Sequence, residues 1–162
     1  MTCLEKAIEE YDEVAVLMID KSQDLGLDLN QRFENRDKDT PLTLACARNK
    51  VRVVKALLSK AKNQEVDVNG ADKDGWTAFI KSCYYGSVES AAILLEEADE
   101  LKINLNAQDI LKKTGFHVAC QFKNSALVDL IVSKSNELNI DLTIKDKKGK
   151  TGHDHWPQYF QK

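Results

Sequence analysis

The four cysteines and three histidines are the side chains best suited to holding a soft metal or moving protons near neutral pH. His153-Asp154-His155 offers two imidazoles and a carboxylate in one short run. A zinc site wants three or four converging ligands, and a lone His-x-His supplies too few. Cys46, Cys83 and Cys120 lie 37 residues apart, a regular spacing rather than a ligand cluster. Asp72, Asp109 and Asp146 recur at that same spacing of 37. Aspartates in such positions serve turns, their short side chains accepting from nearby backbone amides. No glycine-rich phosphate loop, nucleophile elbow or paired-carboxylate arrangement is present in the sequence. The expectation is therefore no metal, no cofactor and no catalysis.

The spacing itself is the stronger signal. Thr40, Thr77, Thr114 and Thr151 are also 37 residues apart. Each of the first three opens an apolar run: Thr40-Pro41-Leu42-Thr43-Leu44-Ala45-Cys46, Thr77-Ala78-Phe79-Ile80-Lys81-Ser82-Cys83 and Thr114-Gly115-Phe116-His117-Val118-Ala119-Cys120. A polar break follows at Asn49-Lys50, Gly86-Ser87 and Lys123-Asn124. Then come apolar stripes ending in Ala56-Leu57-Leu58, Ile93-Leu94-Leu95 and Leu130-Ile131-Val132. Each unit closes on Val66-Asp67-Val68-Asn69, Ile103-Asn104-Leu105-Asn106 or Ile140-Asp141-Leu142-Thr143. The pattern predicts a short helix, a tight turn, a longer helix and an extended crossing to the next unit. Units of this kind bury their apolar faces only against neighbours, and they present long surfaces rather than enclosed pockets.

These residues resemble the ankyrin repeat, marked by a Thr-Pro-Leu-His segment, an Ala-Ala step, a Gly-led turn and a Val-Asn exit. The resemblance is clear over residues 35–152. It implies an all-α ankyrin-type solenoid of helix-turn-helix repeats with hairpin-like connecting loops. Only the Thr40 unit keeps the proline, and only the Thr114 unit keeps the histidine. The period is 37 against the usual ankyrin value of about 33. The extra residues fall after the second apolar stripe and amount to about one helical turn, which predicts a second helix lengthened by a turn in every repeat. The resemblance also implies that His117 ties a hairpin to its helix, and that the repeated cysteines stand where ankyrin sequences carry alanine. A free cysteine there is a small hydrophobe between closely packed helices. Equivalent positions in neighbouring repeats lie about 10 Å apart, beyond the ~7 Å reach of a disulfide. Cys3 falls outside the period.

The single domain spanning residues 1–162 then divides into a degenerate capping repeat (1–34), three repeats (35–69, 70–106, 107–143) and a partial C-terminal capping repeat (144–162). In the first unit Leu4, Ala7 and Ile8 suit a first helix, and Gln31–Asp39 makes a longer connection. Glu5, Glu9, Glu10, Asp12 and Glu13 would give this terminal unit the polar outer face a cap needs. At the far end Pro157 suits a helix start near Trp156. There Trp156, Tyr159 and Phe160 either cover the open end of the last repeat or pair with another copy.

A net charge of −3 argues against nucleic acid as the partner. No apolar run approaches the ~18 residues of a membrane span. The N-terminal residues lack the layout of a secretory leader, so the expected compartment is the cytoplasm or nucleus.

The resemblance places the variable, partner-facing positions just before the Thr segment and just before the inter-helix turn. In the central repeat these are Lys73, Asp74, Trp76, Tyr84 and Tyr85; in the next, Ile110, Leu111, Lys113, Gln121 and Phe122; in the previous one, Arg36, Asp37, Asp39, Ala47 and Arg48. Aromatics concentrate there although the repeat does not require them, and Ile110 and Leu111 occupy a hairpin tip that ought to be polar. Lys112 stands where Gly75 and Gly149 mark the other tips. Exposed aromatic clusters mark interaction sites, and Trp and Tyr dominate interface hot spots. The alternative is that Trp76 covers the hairpin base and the tyrosines pack on lysine stems. Lys145, Lys147, Lys148 and Lys150 cluster near the last hairpin, with Lys112 and Lys113 one unit earlier. They form either a solvated face or a track for an acidic segment of the partner. The expected function is non-catalytic binding of a protein partner by a monomer. The competing expectation is a structural or self-associating scaffold joined through the stack ends.

Overall fold

A computed structural model describes residues 1–35 and 37–161. Its helices run in pairs: α1 (Cys3–Glu10) and α2 (Asp12–Asp20), α3 (Pro41–Ala47) and α4 (Val51–Ala61), α5 (Ala78–Tyr85) and α6 (Val88–Glu96), α8 (Gly115–Gln121) and α9 (Ser125–Lys134). A short α7 (Ala98–Leu101) follows α6, and α10 (Gly152–His155) with a 3-10 turn (Pro157–Tyr159) ends the chain. First helices stack in the order α1, α3, α5, α8, α10, and second helices in the order α2, α4, α6, α9. The described residues contain no strand, only an isolated bridge between Ala71 and Thr77. One core runs through the stack, from Leu4 and Ile8 to Val128 and Ile131.

The periodic threonines are helix N-caps. Thr40, Thr77 and Thr151 accept through their hydroxyls from the third helical amide, which satisfies a donor that has no intrahelical partner. Thr2, which the spacing did not bring out, does the same for α1, and Glu5 returns the bond to the Thr2 amide at 3.1 Å. In the Thr114 repeat the ring of His117 replaces that reciprocal side chain. Its Nδ1 accepts from the Thr114 amide at 3.2 Å, so Nε2 carries the proton and donates to the Lys150 carbonyl at 3.1 Å.

Successive first helices fit by matched sizes. An added Cβ on Gly115 would sit 2.7 Å from Phe79, and one on Gly152 2.3 Å from Phe116. Where the earlier repeat places the slimmer Leu42, the following position is Ala78, so ring and missing methyl form a complementary pair. The thiols of Cys46, Cys83 and Cys120 are free and fully buried. Burial pushes Cys46 and Cys120 up to about 12, which leaves them protonated, unreactive packing groups.

Beyond the second helices, each exit binds the next through an asparagine. Asn30, Asn69 and Asn106 accept from the amides of Asp67, Asn104 and Asp141 at 2.7–2.8 Å. Their amide groups donate to the carbonyls of Glu65, Lys102 and Asn139. Thr143 takes the asparagine position in the exit after α9.

Two expectations need correction. The extra residues of the long repeat do not extend one continuous second helix. They form a separate turn that closes on a left-handed residue, namely Gly26, Gln64, Lys102 or Asn139. Each turn carries a six-to-one bond, from Leu27 to Ser22, Glu65 to Lys60, Ile103 to Ala98 and Ile140 to Ser135. The left-handed residue reverses the chain into the exit, which a longer straight helix would overshoot. The acidic residues of the first pair also make a polar outer face only in part. Glu5 is buried in its capping box. Glu9 and Asp12 pair with Arg48 and Lys50 of the next repeat at 3.1 and 2.8 Å, whereas Glu10 is exposed and Glu13, also exposed, reaches Arg52 at 3.5 Å. Exposed Tyr11, Val14, Leu17 and Leu25 add apolar surface to that end.

Candidate functional site

The hairpin tips set the geometry of the opposite edge. Asp72 Oδ1 accepts from the amides of Asp74 and Trp76, Asp109 Oδ1 from Leu111 and Lys113, and Asp146 Oδ1 from Lys148 and Lys150, all at 2.8–3.0 Å. Tips also bond to one another, from the Lys73 amide to the Asp37 carbonyl, Ile110 to Asp74 and Lys147 to Leu111. The result is a continuous, internally braced rim. Gly75 is required in it, because its φ is +80° and a Cβ would lie 3.3 Å from the Asp109 Cα. Lys112 holds the same left-handed conformation with φ 58°, in the tip that exposes Ile110 and Leu111.

Each rim aspartate has a second oxygen, and each finds a different donor. Asp72 Oδ2 takes the ammonium of Lys81 at 2.9 Å, Asp109 Oδ2 the indole N–H of Trp76 at 3.1 Å, and Asp146 Oδ2 the ring of His155 at 3.0 Å. Lys81 is only 1% exposed and also reaches Asp39 at 3.1 Å and Asp37 at 3.4 Å. Burial alone would lower its pKa, but hydrogen bonding and charge from Asp72 and Asp39 outweigh that and raise it. Its nitrogen lies 5.4 Å from the Trp76 ring centre and 6.0 Å from that of Tyr85. For Asp146, burial would raise the pKa, but the amides of Lys150 and Lys148, together with His155, bring it down to about 2.

Lys81 was absent from the sequence-derived site. The available signal was a cation at a position held by Leu44 one repeat earlier and Val118 one repeat later.

Above the buried cation the aromatics converge. Tyr84 packs on Trp76 at 4.5 Å between ring centres, on Tyr85 at 5.0 Å and on Phe122 at 4.7 Å. Trp76 is part-buried, whereas Tyr84, Tyr85, Leu111, Ile110 and Phe122 are exposed, the last by 50%. Lys113 reaches Gln121 at 2.5 Å beside this run, and Lys73 lies 3.9 Å from Asp37. Asp74 is half-buried at the tip. The chosen positions of the two central repeats thus lie along one face. Those of the preceding repeat adjoin it, since Asp37, Asp39, Ala47 and Arg48 line one groove with Tyr85, but Ala47 and Asp39 are buried, and Asp37 and Arg48 are engaged in ion pairs. Arg36 lies outside the described residues.

A family model of ankyrin repeats, in three copies, matches residues 4–109. The chain belongs to the ankyrin-repeat family. No curated protein matches it. Ankyrin repeats serve in general as protein–protein interaction modules and are typically non-catalytic. Among the described residues no helix of this ankyrin stack is long and apolar enough to cross a membrane. No three His, Cys, Asp or Glu side chains among them are grouped to hold a metal. His153 packs on Phe160 and Phe116, at 4.3 and 5.1 Å, and His155 is held by Asp146. Both histidines of the His-x-His run are therefore occupied in packing and hydrogen bonding.

At the C-terminal end of the ankyrin stack, Trp156 stacks on Tyr159 at 4.2 Å, and Phe160 lies 6.2 Å from Phe116. The Tyr159 hydroxyl donates to Asp129 at 2.5 Å. These rings pack onto the core rather than away from it.

Proposed function

We propose that this ankyrin stack is a non-catalytic module that binds a partner protein on its concave face, through Trp76, Tyr84, Tyr85, Phe122, Ile110 and Leu111, flanked by Lys73, Asp74 and Lys113. The observation that carries this reading is the exposed aromatic run from Tyr85 through Tyr84 to Phe122. An apolar surface of this kind is costly to leave in water. The braced tips below it lose little conformational freedom on binding. The lysine-bearing end adds that the partner carries acidic residues, which would speed association and weaken with salt. The unit boundaries drawn from the sequence, with the first and last units as caps, belong to the same reading.

The test is a paired capture from lysate with the native chain and a Tyr84→Ala, Tyr85→Ala, Phe122→Ala variant, after circular dichroism has shown both to be folded. Hot-spot aromatics cost about 2 kcal/mol or more each on truncation, so the specific partner should vanish from the variant's captures. Identical captures would sink the reading. A second reading, association of two copies through a stack end, draws on the exposed Tyr11, Val14, Leu17 and Leu25. A mass that stays monomeric with rising concentration in light scattering would dispose of it.

A further inference from the structure

At the end of the hairpin edge, Leu111, Lys113, Gln121, Lys147, Lys148 and Lys150 line an open groove of about 330 Å³, floored by Asp146 and His155. The chain is net negative, yet four lysines meet here. None of them makes an ion pair among the described residues, whereas Lys50, Lys60, Lys62, Lys73, Lys81 and Lys134 all do. The groove's one carboxylate is already used, Asp146 being held by two backbone amides and His155. Leu111 belongs both to this groove and to the exposed apolar surface of the concave face, and Gln121 adjoins Phe122 in the chain.

We infer that this groove takes a run of carboxylates from the partner, placed next to an apolar anchor that sits on Leu111 and Phe122. The inference rests on the concave-face reading and adds which groove takes the partner's acidic residues and that they run on directly from its apolar anchor. A single compact dianion is disfavoured, because the Asp146 carboxylate lies on the floor and repels it. Several carboxylates spread along the rim reach the lysines while avoiding that floor. Nucleic acid is disfavoured because the chain is net negative and the one ring lining the groove, that of His155, is held edge-on by Asp146.

The probe is a fluorescein-labelled synthetic peptide with a Leu-Leu anchor followed by four glutamates, read by anisotropy against the native full chain. The control peptide carries glutamines in place of the glutamates. The glutamate peptide should bind and the glutamine peptide should bind about tenfold more weakly. Lys147→Gln, Lys148→Gln, Lys150→Gln should cost about tenfold for the glutamate peptide alone, since exposed pairs contribute modestly and sum. The same affinity should fall with added salt. These lysines are exposed, so the variant is expected to fold, and its unfolding curve checks that. Equal affinity for both peptides, an unchanged triple variant, or no binding up to about 1 mM overturns the inference. So does displacement of the peptide by inorganic phosphate or by an oligothymidine at lower concentration. Failure here with loss of partner capture in the tyrosine variant would leave the aromatic face as the binding surface with a different partner chemistry. Binding here with identical captures would remove the aromatic reading alone.

Discussion

Along the exit edge, Asn30, Asn69 and Asn106 make the same two bonds to the next repeat. Along the hairpin edge, Asp72, Asp109 and Asp146 keep their places, but they bind Lys81, Trp76 and His155 in turn. Both edges obey the period, and only one is monotonous. An exit must always hand the chain to an identical neighbour, so one side chain solves every case. A tip must only be braced, and its second carboxylate oxygen is free to recruit whatever donor the surface above it requires. In the central repeat that donor is a buried lysine, and the rings of Trp76 and Tyr85 rest over it.

The difference is sharpest when a hairpin-edge residue is made ordinary. Lys81→Leu copies the residue at position 44 and leaves Asp39 and Asp72 buried without their cation. Breaking a buried ion pair from one side costs about 3–5 kcal/mol, read as a lower midpoint in urea unfolding. Adding Asp39→Asn should recover part of that loss, since one stranded charge is removed. A single-variant loss below about 1 kcal/mol would mean the network is dispensable and the comparison misplaced.

Size matching between first helices comes next. Gly115→Ala drives a methyl against Phe79, and overpacking of this kind costs about 1–3 kcal/mol. Phe79→Leu combined with Gly115→Ala rebuilds the pairing that Leu42 and Ala78 already show. The double variant should therefore be more stable than the sum of the singles implies. Additive losses would show that the two sites do not touch energetically.

On the exit edge the effect should be smaller and alike in each repeat. Asn69→Ala removes bonds to Asn104 and Lys102 that water can partly replace, so about 1 kcal/mol is expected. Asn30→Ala and Asn106→Ala should match it. A large disparity between the three would break the uniformity on which the comparison rests.

The sequence made the exit edge and the caps legible because each residue there is asked the same thing in every repeat. Threonines, cysteines and exit asparagines announce themselves by recurrence. Tyr84, Tyr85 and Phe122 were also legible, as aromatics at places where recurrence does not demand them. What recurrence hides is a departure that looks like noise: Lys81 in place of Leu44, or Glu5 used as a cap rather than a surface charge. Partners across repeats were equally out of reach. Glu9 meets Arg48, and the Trp76 indole meets Asp109, only once the stack's pitch brings them together. The separate turn after each second helix was missed because length alone does not reveal where a helix yields to a left-handed residue.

The smallest effect expected is a pH dependence seated in one hairpin. His117 has a pKa below its ordinary 6.5, chiefly because burial penalises the charged ring. The proton on Nε2 is already committed to the Lys150 carbonyl, and Nδ1 accepts from Thr114. A second proton would have to go on Nδ1 and break the cap. Nearby His155 opposes protonation further, while Asp146 favours it. Below about 6.5 the unfolded chain takes up a proton that the folded ring refuses. The contribution of His117 is therefore complete above that pH and shrinks as the pH falls through the folded value. Urea midpoints should decline from pH 7.5 to 5.5 in the native chain, and His117→Gln should flatten the part of that decline owed to this ring. An unchanged slope in the variant would place the pH sensitivity outside this hairpin.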